Sequence, residues 1–202
     1  MTGVYSGRRA IHPIEIESYR LLRSTVDTSG LLPWTRTVAE RIVHTAADPG
    51  WLDDLAADES ALASGAAALA GGAPLVVDVT MVAAGITRYP SICLVGGEEA
   101  ARLARETGLT RSAAAIRLAA EQVGPGAVWA IGNAPTALVE LLGRAADPAL
   151  IVGFPVGYVG AAEAKAALRA SGRPQISNVS ARGGSPIAAA TINALLYGEV
   201  PG

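Results

Sequence analysis

Five short apolar runs alternate with helical patterns over the last two thirds of this chain. Each run is continuous and is bounded by Gly, Pro or Asp, which is typical of strands that are buried on both faces. The runs lie at residues 74–78, 91–95, 127–131, 149–153 and 175–179. The helical patterns lie near residues 97–107, 110–122, 134–146, 160–171 and 185–197. This alternation predicts an α/β fold with a mainly parallel, five-stranded sheet.

The first third of the chain shows helical patterns instead. Residues 14–25 fit a short amphipathic helix. A second helix is expected to begin at Pro33 and to end before Asp48, because proline sacrifices no hydrogen bond in the first helical turn. Asp58 is predicted to cap a third, alanine-rich helix that stops at Gly71, since a short polar side chain at that position accepts from free amides.

The length of the chain fits one domain. At about 150 residues per domain, 202 residues predict a single unit. Its parts are an arm at residues 1–13, a helical part at 14–71 and an α/β core at 72–198. The helical part is expected to pack against the sheet or against a neighbouring subunit.

Composition excludes several classes of function. The chain has 16 basic and 18 acidic residues, a net charge of −2, whereas nucleic-acid-binding domains usually carry a strongly basic face. The single cysteine, Cys93, excludes an internal disulfide framework. The two histidines, His12 and His44, leave few ligands for a transition metal. We therefore expect no nucleic-acid partner and no metal site.

No segment predicts secretion or membrane insertion. The first ten residues contain no apolar stretch of signal-peptide length. The longest uncharged run, at 149–162, is too short for a membrane span and is interrupted by Pro155 and three glycines. We expect a soluble cytoplasmic protein without a membrane partner.

Polar and glycine-rich segments follow three of the predicted strands. They contain Asn133, Gly157 and the sequence Arg-Gly-Gly-Ser at 182–185. Ligands of open parallel sheets bind outside the carboxyl ends of the strands, and a guanidinium beside a helix N-terminus suits a carboxylate or phosphate. The same residues also occur in ordinary strand-to-helix turns, so loop geometry alone stays an alternative. Neither a P-loop nor a Gly-x-Gly-x-x-Gly turn is present, which disfavours a nucleotide.

Eight segments, in order, carry a resemblance to a known family. They lie at residues 14–20, 41–48, 78–86, 110–112, 132–138, 153–165, 182–185 and 193–196. The most specific are Gly-Asn-Ala-Pro-Thr-Ala-Leu at 132–138 and Gly-Phe-Pro-Val-Gly-Tyr-Val-Gly-Ala-Ala-Glu-Ala-Lys at 153–165. Together they resemble the precorrin-8X methylmutase family, whose metal-inserted variant is cobalt-precorrin-8 methylmutase.

The resemblance implies a fold, an assembly and a reaction. The fold is a flavodoxin-like, three-layer α/β fold with an N-terminal helical extension, and the assembly is a homodimer without an organic cofactor. The reaction is an isomerisation of cobalamin biosynthesis, in which a methyl group moves from C11 to C12 of precorrin-8X or cobalt-precorrin-8. The product is hydrogenobyrinic acid or cobyrinic acid, and the sequence leaves the metal state open.

The resemblance also assigns the site residues. It places the catalytic histidine on His44, and an imidazole can donate a proton to the tetrapyrrole and retrieve it. By spacing alone, His44 equally fits a structural histidine at a helix end, and His12 is expected to be solvated or packed. The implied substrate-binding residues are Ser18, Arg41, Thr45, Thr80, Arg111, Asn133, Gly157, Arg182, Gly183, Gly184 and Ser185.

Two further side chains have expected roles. Arg41 precedes His44 by three residues on the same helical face, so it is positioned to hold a substrate carboxylate beside the imidazole. Lys165 is the only lysine beside 15 arginines and is expected to orient a loop.

Two other functions stay open at this point. One is a non-catalytic protein of the same fold that binds or carries the corrinoid product. The other is a different α/β enzyme that binds an anion, since a fold does not determine a function.

Overall fold

The computed structural model describes residues 12–144 and 147–198. The elements follow one another as α1 (Pro13–Thr25), α2 (Pro33–Ala46), α3 (Trp51–Asp54), β1 (Leu55–Ala57), α4 (Glu59–Ala70), β2 (Leu75–Val77), α5 (Thr80–Gly85), α6 (Glu98–Thr107), α7 (Arg111–Gln122), β3 (Val128–Ile131), α8 (Pro135–Leu142), β4 (Leu150–Gly153), α9 (Ala161–Ala170), β5 (Gln175–Asn178) and α10 (Ser185–Tyr197). The arm predicted for residues 1–13 lies outside the described residues except for its last two. Of these, His12 caps α1, because its Nδ1 accepts the N–H of Ile14 at 3.2 Å.

The sheet has five strands in the order β1-β5-β4-β3-β2. β2 to β5 are parallel neighbours, as predicted. The predicted strand at 91–95 is wrong, because only Ile92 pairs there, in an isolated bridge to Val76. Ile92 exchanges hydrogen bonds with Leu75 and Val77, after which the chain turns at Gly97 and leaves the sheet. This bridge places the 91–95 segment next to β2, on the side away from β3. The resulting strand order is that of a flavodoxin-like fold.

The sequence did not predict β1, which is the remaining strand of the sheet. β1 pairs antiparallel with β5, with Ala56 opposite Ser177. It has three residues and no strand-like pattern of its own, so its conformation depends on the hydrogen bonds that β5 offers. It joins the helical N-terminal part to the edge of the sheet.

Helices cover both faces of the sheet and make three layers. Because alternate strand residues point to opposite faces, Val77 and Val128 pack against α2, α4, α5 and α10, whereas Val76 and Trp129 pack against α7, α8 and α9. α10 is the central helix of the first layer, with Ala188 and Ile192 fully buried. The predicted three-layer α/β fold is confirmed.

The starts of the N-terminal helices agree with the prediction. Pro33 begins α2 and Asp58 caps α4, where its carboxylate accepts the N–H groups of Ser60 and Ala61. The N-terminus of α2 is capped from a distance, because the Glu59 carboxylate accepts the amides of Trp34 and Thr35. This cap joins α4 to α2 and was not predicted.

α1 packs on the outer side of α2 through one aromatic residue and ion pairs. Tyr19 is its only buried residue. Arg23 pairs at 2.9 Å with Glu40 of α2, which is fully buried and also accepts the hydroxyl of Thr28. Burial alone would raise the pKa of Glu40, but these hydrogen bonds and Arg36 hold it below its ordinary value.

A packing test follows from the contact between α4 and β4. A Cβ atom on Gly65 would lie 2.4 Å from Cδ2 of Leu150, so Gly65→Ala should lower the free energy of unfolding by about 1–3 kcal/mol. Gly30→Ala is the matched control, since no atom lies within 4 Å of its Cβ position, and it should change stability by less than about 0.5 kcal/mol. Urea denaturation measures both, and equal midpoints would contradict this packing.

Candidate active site

The last two turns of α2 carry three of the predicted site residues. His44 and Thr45 follow Arg41 by three and four positions, so both lie on the same side of the helix as Arg41. His44 is partly buried, and its imidazole stacks on the ring of Tyr19 from α1, with 4.7 Å between the ring centroids and 12° between the planes. The stack fixes the orientation of the imidazole relative to α2.

Arg41 lies beside the same aromatic ring. Its guanidinium carbon is 5.4 Å from the centroid of Tyr19, and its Nη1 donates to Oε1 of Glu15 at 3.2 Å. Glu15 and Tyr19 are four residues apart on α1, which brings both to one face. The Nε of Arg41 is buried and has no hydrogen-bond partner among the described residues. Nη1 of the guanidinium is therefore paired, whereas the buried Nε has no acceptor among the described residues.

The surroundings of His44 favour a neutral imidazole. Burial lowers its pKa below the ordinary 6.5, the positive charge of Arg41 lowers it further, and Glu15 opposes these effects. Burial also raises the pKa of Tyr19 to about 12, so the phenol stays neutral. A neutral imidazole beside a guanidinium accepts a proton readily only once an anion offsets the positive charge.

A cavity of about 590 Å³ opens beside this group. It lies between α2, α10 and the segment that follows α5. Its lining residues are Arg41, Thr45, Gly85, Thr87, Arg88, Pro186, Ala189, Ala190, Asn193 and Tyr197. Arg41 and Thr45 contribute the α2 wall of this space, and His44 is next to Thr45 in the sequence of the same helix.

The segment between β5 and α10 reaches the end of α2. Arg182 pairs with Asp48, just after α2, and its guanidinium carbon lies 4.6 Å from the ring centroid of Trp51. Gly183 is needed for a close approach, since a Cβ there would lie 2.4 Å from the carbonyl oxygen of Phe154. The predicted segment 182–185 is thus joined to the His44 region, and Ser185 begins α10 as a buried residue.

A buried polar network holds this segment in place. Nζ of Lys165 donates to Oδ1 of Asn178 at 2.8 Å and to the carbonyl oxygen of Arg182. The Asp54 carboxylate accepts from Asn178 and from the amide and hydroxyl of Ser180. Burial lowers the pKa of Lys165 to about 8, against the favourable charge of Asp54. Lys165 orients a loop, as predicted.

The turn between β3 and α8 differs from its predicted role. Ala134 is the N-cap residue of α8 and makes no side-chain cap bond. The amides of Gly132, Asn133 and Ala134 each donate to the carboxylate of Asp78 at 2.9 Å. Asp78 is fully buried, and burial raises its pKa while the three amides lower it. These three N–H groups therefore bind the chain's own carboxylate and are not available to a bound anion.

The other predicted residues lie at separate places around the carboxyl edge of the sheet. Ser18 is partly exposed on α1 next to Tyr19, and Thr80 is the exposed first residue of α5. Arg111 is the exposed first residue of α7, in the layer on the opposite face from His44. Gly157 has a φ of +138° and donates its amide to Ala181 at 3.3 Å. The structure therefore joins the α2 residues to the 182–185 segment and sets Arg111 apart.

Sequence reasoning missed four residues of this region. Glu15 and Tyr19 contact Arg41 and His44, Asp48 pairs with Arg182, and Asp78 caps the β3–α8 turn. The first two could have been found from their spacing of four on one helix face. Asp78 had a signal too, since it is a charged residue directly after an apolar strand.

Comparisons with known proteins identify the family of this chain. The precorrin-8X methylmutase (CbiC) family model matches residues 13–198. The chain belongs to the precorrin-8X methylmutase family. It is 42% identical to a precorrin-8X methylmutase of Pseudomonas aeruginosa, over 89% of this chain and 91% of that protein. It is 39% identical to a cobalt-precorrin-8 methylmutase of Methanocaldococcus jannaschii, over 79% of this chain and 77% of the relative.

A solved structure gives the same result for the fold. The precorrin-8X methylmutase of Thermus thermophilus superposes with a TM-score of 0.84 at 32% identity and covers 91% of this chain and 93% of its own. Membership of the family confirms the expected class, an isomerase of cobalamin biosynthesis. Relatives of both the metal-free and the cobalt type match, so similarity does not decide between the two substrates.

Two structural surveys bear on other site types. Within residues 12–144 and 147–198, no three His, Cys, Asp or Glu side chains come together as a metal-binding group. No helix in this described part of the chain is long and apolar enough to span a membrane.

The electrostatics of His44 can be measured directly. In a His12→Asn background, which leaves one imidazole, NMR titration should give His44 a pKa below 6.5. Arg41→Gln removes a positive charge next to the imidazole and should raise this pKa. An unchanged or lower value in Arg41→Gln would contradict the described contact.

The role of Asp78 has its own test. Asp78→Ala leaves the buried amide of Gly132 and the amides of Asn133 and Ala134 without their acceptor, so it should lower the free energy of unfolding by about 3 kcal/mol or more. Asp53→Ala removes an exposed carboxylate and should change stability by less than about 0.5 kcal/mol. Thermal and urea unfolding measure both variants, and equal stability of the two would exclude the capping role.

Proposed function

We propose that this chain moves a methyl group from C11 to C12 of precorrin-8X or cobalt-precorrin-8, with His44 as the catalytic residue. The product is hydrogenobyrinic acid or, with cobalt, cobyrinic acid. The observation that carries this proposal is the stack of His44 on Tyr19 beside Arg41, which lines the cavity, in a chain that belongs to the methylmutase family.

The reaction is balanced within the substrate. The bond from C11 to the methyl carbon breaks and the bond from C12 to the same carbon forms, so the composition does not change. The step needs no redox agent, external nucleophile or organic cofactor. It needs a proton to be given to the conjugated macrocycle and taken back, which an imidazole does efficiently near neutral pH.

Substrate binding itself controls the charge of His44 in this proposal. In the free protein, burial and Arg41 keep the pKa of His44 low. A substrate carboxylate that binds the guanidinium of Arg41 in the cavity offsets the positive charge and raises the pKa of the imidazole. His44 then becomes able to carry the proton that the macrocycle receives. Proton transfer is thereby linked to a correctly placed substrate.

The remaining contacts hold the periphery of the tetrapyrrole. Arg41 and Arg182 are planar donors suited to carboxylates, and neutral donors complete the site. We assign substrate binding also to Ser18, Thr45, Thr80, Arg111, Asn133, Gly157, Gly183, Gly184 and Ser185. Only the side chain of Asn133 is available to the substrate, because its backbone N–H donates to Asp78.

A homodimer in the cytoplasm is the proposed state of the enzyme. Side chains of α1 support a dimer, because Ile14 is 74% exposed and Leu21 is 51% exposed. Apolar side chains of this size on one outer helix favour burial against a second subunit. A pathway intermediate as substrate fits a cytoplasmic location.

Replacement of His44 tests the mechanism. His44→Ala should lower kcat by about 10²- to 10⁴-fold, because a positioned acid–base group contributes that much. Product binding, followed by absorbance titration, should stay within threefold of wild type, since Arg41 and Arg182 remain. His12→Asn keeps the cap of α1 and should retain full activity.

Three outcomes separate the open functions. Unchanged turnover in His44→Ala would refute the role of this residue. A wild-type protein that binds hydrogenobyrinic acid but converts neither substrate would be a carrier. A protein that binds no tetrapyrrole would be a different anion-binding enzyme. Incubation with metal-free and cobalt-loaded substrates, followed by product mass, decides the metal state.

A further inference from the structure

The segment after α5 brings a second guanidinium to the cavity that Arg41 lines. Arg88 is exposed and lines the same space as Arg41 and Thr45. Resting on the proposed function, we propose that Arg88 binds a peripheral carboxylate of the tetrapyrrole and contributes to its affinity.

Arg88 has no ion-pair partner within the part of the chain that the structure describes. Arg41 pairs with Glu15 and Arg182 pairs with Asp48, whereas no carboxylate among the described residues pairs with Arg88. An arginine beside a concave space without a partner of its own is a favourable donor for an incoming carboxylate, because no existing ion pair must be broken.

The backbone of Arg88 is unusual for an arginine. Its φ is +63°, and in the described chain only Ala47 shares a positive φ among residues other than glycine. Ala47 follows α2 as its cap, which is a common place for a left-handed residue. Arg88 ends no helix, and the conformation would suit glycine better. The side chain, and not the backbone, accounts for arginine at this position.

Contacts with α10 hold this strained residue in place. Asn193 accepts the amide of Thr87 at 3.0 Å through Oδ1 and donates to the carbonyl of Gly85 at 2.8 Å. The Tyr197 hydroxyl contacts the hydroxyl of Thr87 and donates to its carbonyl oxygen. The backbone on one side of Arg88 is thus fixed to the central helix, which lowers the entropy cost of presenting its guanidinium to a ligand.

The position of Arg88 predicts an effect on binding and not on the proton transfer. Arg41 lies one helical turn from His44, but Arg88 belongs to another segment of the cavity wall. A carboxylate held there is retained in the ground state and in the transition state alike, so its loss raises KM and leaves kcat nearly constant.

The test compares two Arg88 variants with a matched arginine. Arg88→Gly keeps the left-handed backbone, removes the guanidinium, and should weaken hydrogenobyrinic acid binding at least tenfold with kcat within threefold. Arg88→Lys keeps the charge without the bidentate geometry and should fall between Arg88→Gly and wild type. Arg105→Ala removes an exposed arginine of α6, on the opposite face, and should bind as wild type does. Equal melting temperatures show that the fold is kept.

A product derivative with one carboxylate converted into its amide identifies the partner. For one such positional isomer, the wild type should bind at least tenfold more weakly than it binds the unmodified product. Arg88→Gly should bind the same isomer less than twofold more weakly than it binds the unmodified product. Equal affinity of Arg88→Gly and wild type for the unmodified product would overturn the proposal. Wild type that binds product without turnover refutes only the proposed function, since the affinity comparison still decides Arg88. A wild type that binds no tetrapyrrole refutes both.

Discussion

The contact between Tyr19 and the imidazole of His44 is the interaction on which the site depends. Tyr19 is the one buried residue of α1, so the same ring that docks this helix on α2 also sets the plane of the imidazole. An aromatic pair of this kind is worth about 0.5–1.5 kcal/mol beyond the area it buries. The ring shields His44 from water and keeps Arg41 close, which together lower the pKa of the imidazole. Docking, orientation and acidity therefore have a common cause.

The sheet contributes by bringing distant parts of the chain to one place. α10 packs against α2, and Arg182 at its start pairs with Asp48 at the end of α2. Lys165 and Asp54 both bind the side chain of Asn178, which holds the loop between β5 and α10 in place. Lys165 is fully buried, and its ammonium group is satisfied by hydrogen bonds, which is the condition under which a charged group is tolerated in a core. These contacts hold the segment that leads into α10, the helix that forms one wall of the cavity.

The sequence predicted the elements whose signal is local. Parallel strands buried on both faces read as apolar runs, and Pro33 and Asp58 mark helix starts by their own chemistry. β1 could not be predicted in this way, because three residues without a pattern become a strand only when β5 lies next to them. The segment at 91–95 shows the opposite case, because it has the apolar pattern of a strand but forms only the single bridge from Ile92 to Val76.

The site residues also differ in whether local sequence predicts them. Family resemblance and helix spacing together indicated His44 and Arg41, which need only one helix to be described. Tyr19, Asp48 and Asp78 act on residues far away in the chain, so their roles appear only when the fold is known. Asp78 also shows why a favourable turn sequence need not bind a ligand, because the chain's own carboxylate accepts the three amides.

A crystal structure of the protein with hydrogenobyrinic acid bound tests the central claim most directly. The account predicts that ring C faces His44, with an imidazole nitrogen within about 3–4 Å of the macrocycle and with a carboxylate on Arg41. A macrocycle that is bound away from α2, without a contact to His44 or Arg41, would contradict it. So would a complex in which another ring faces His44.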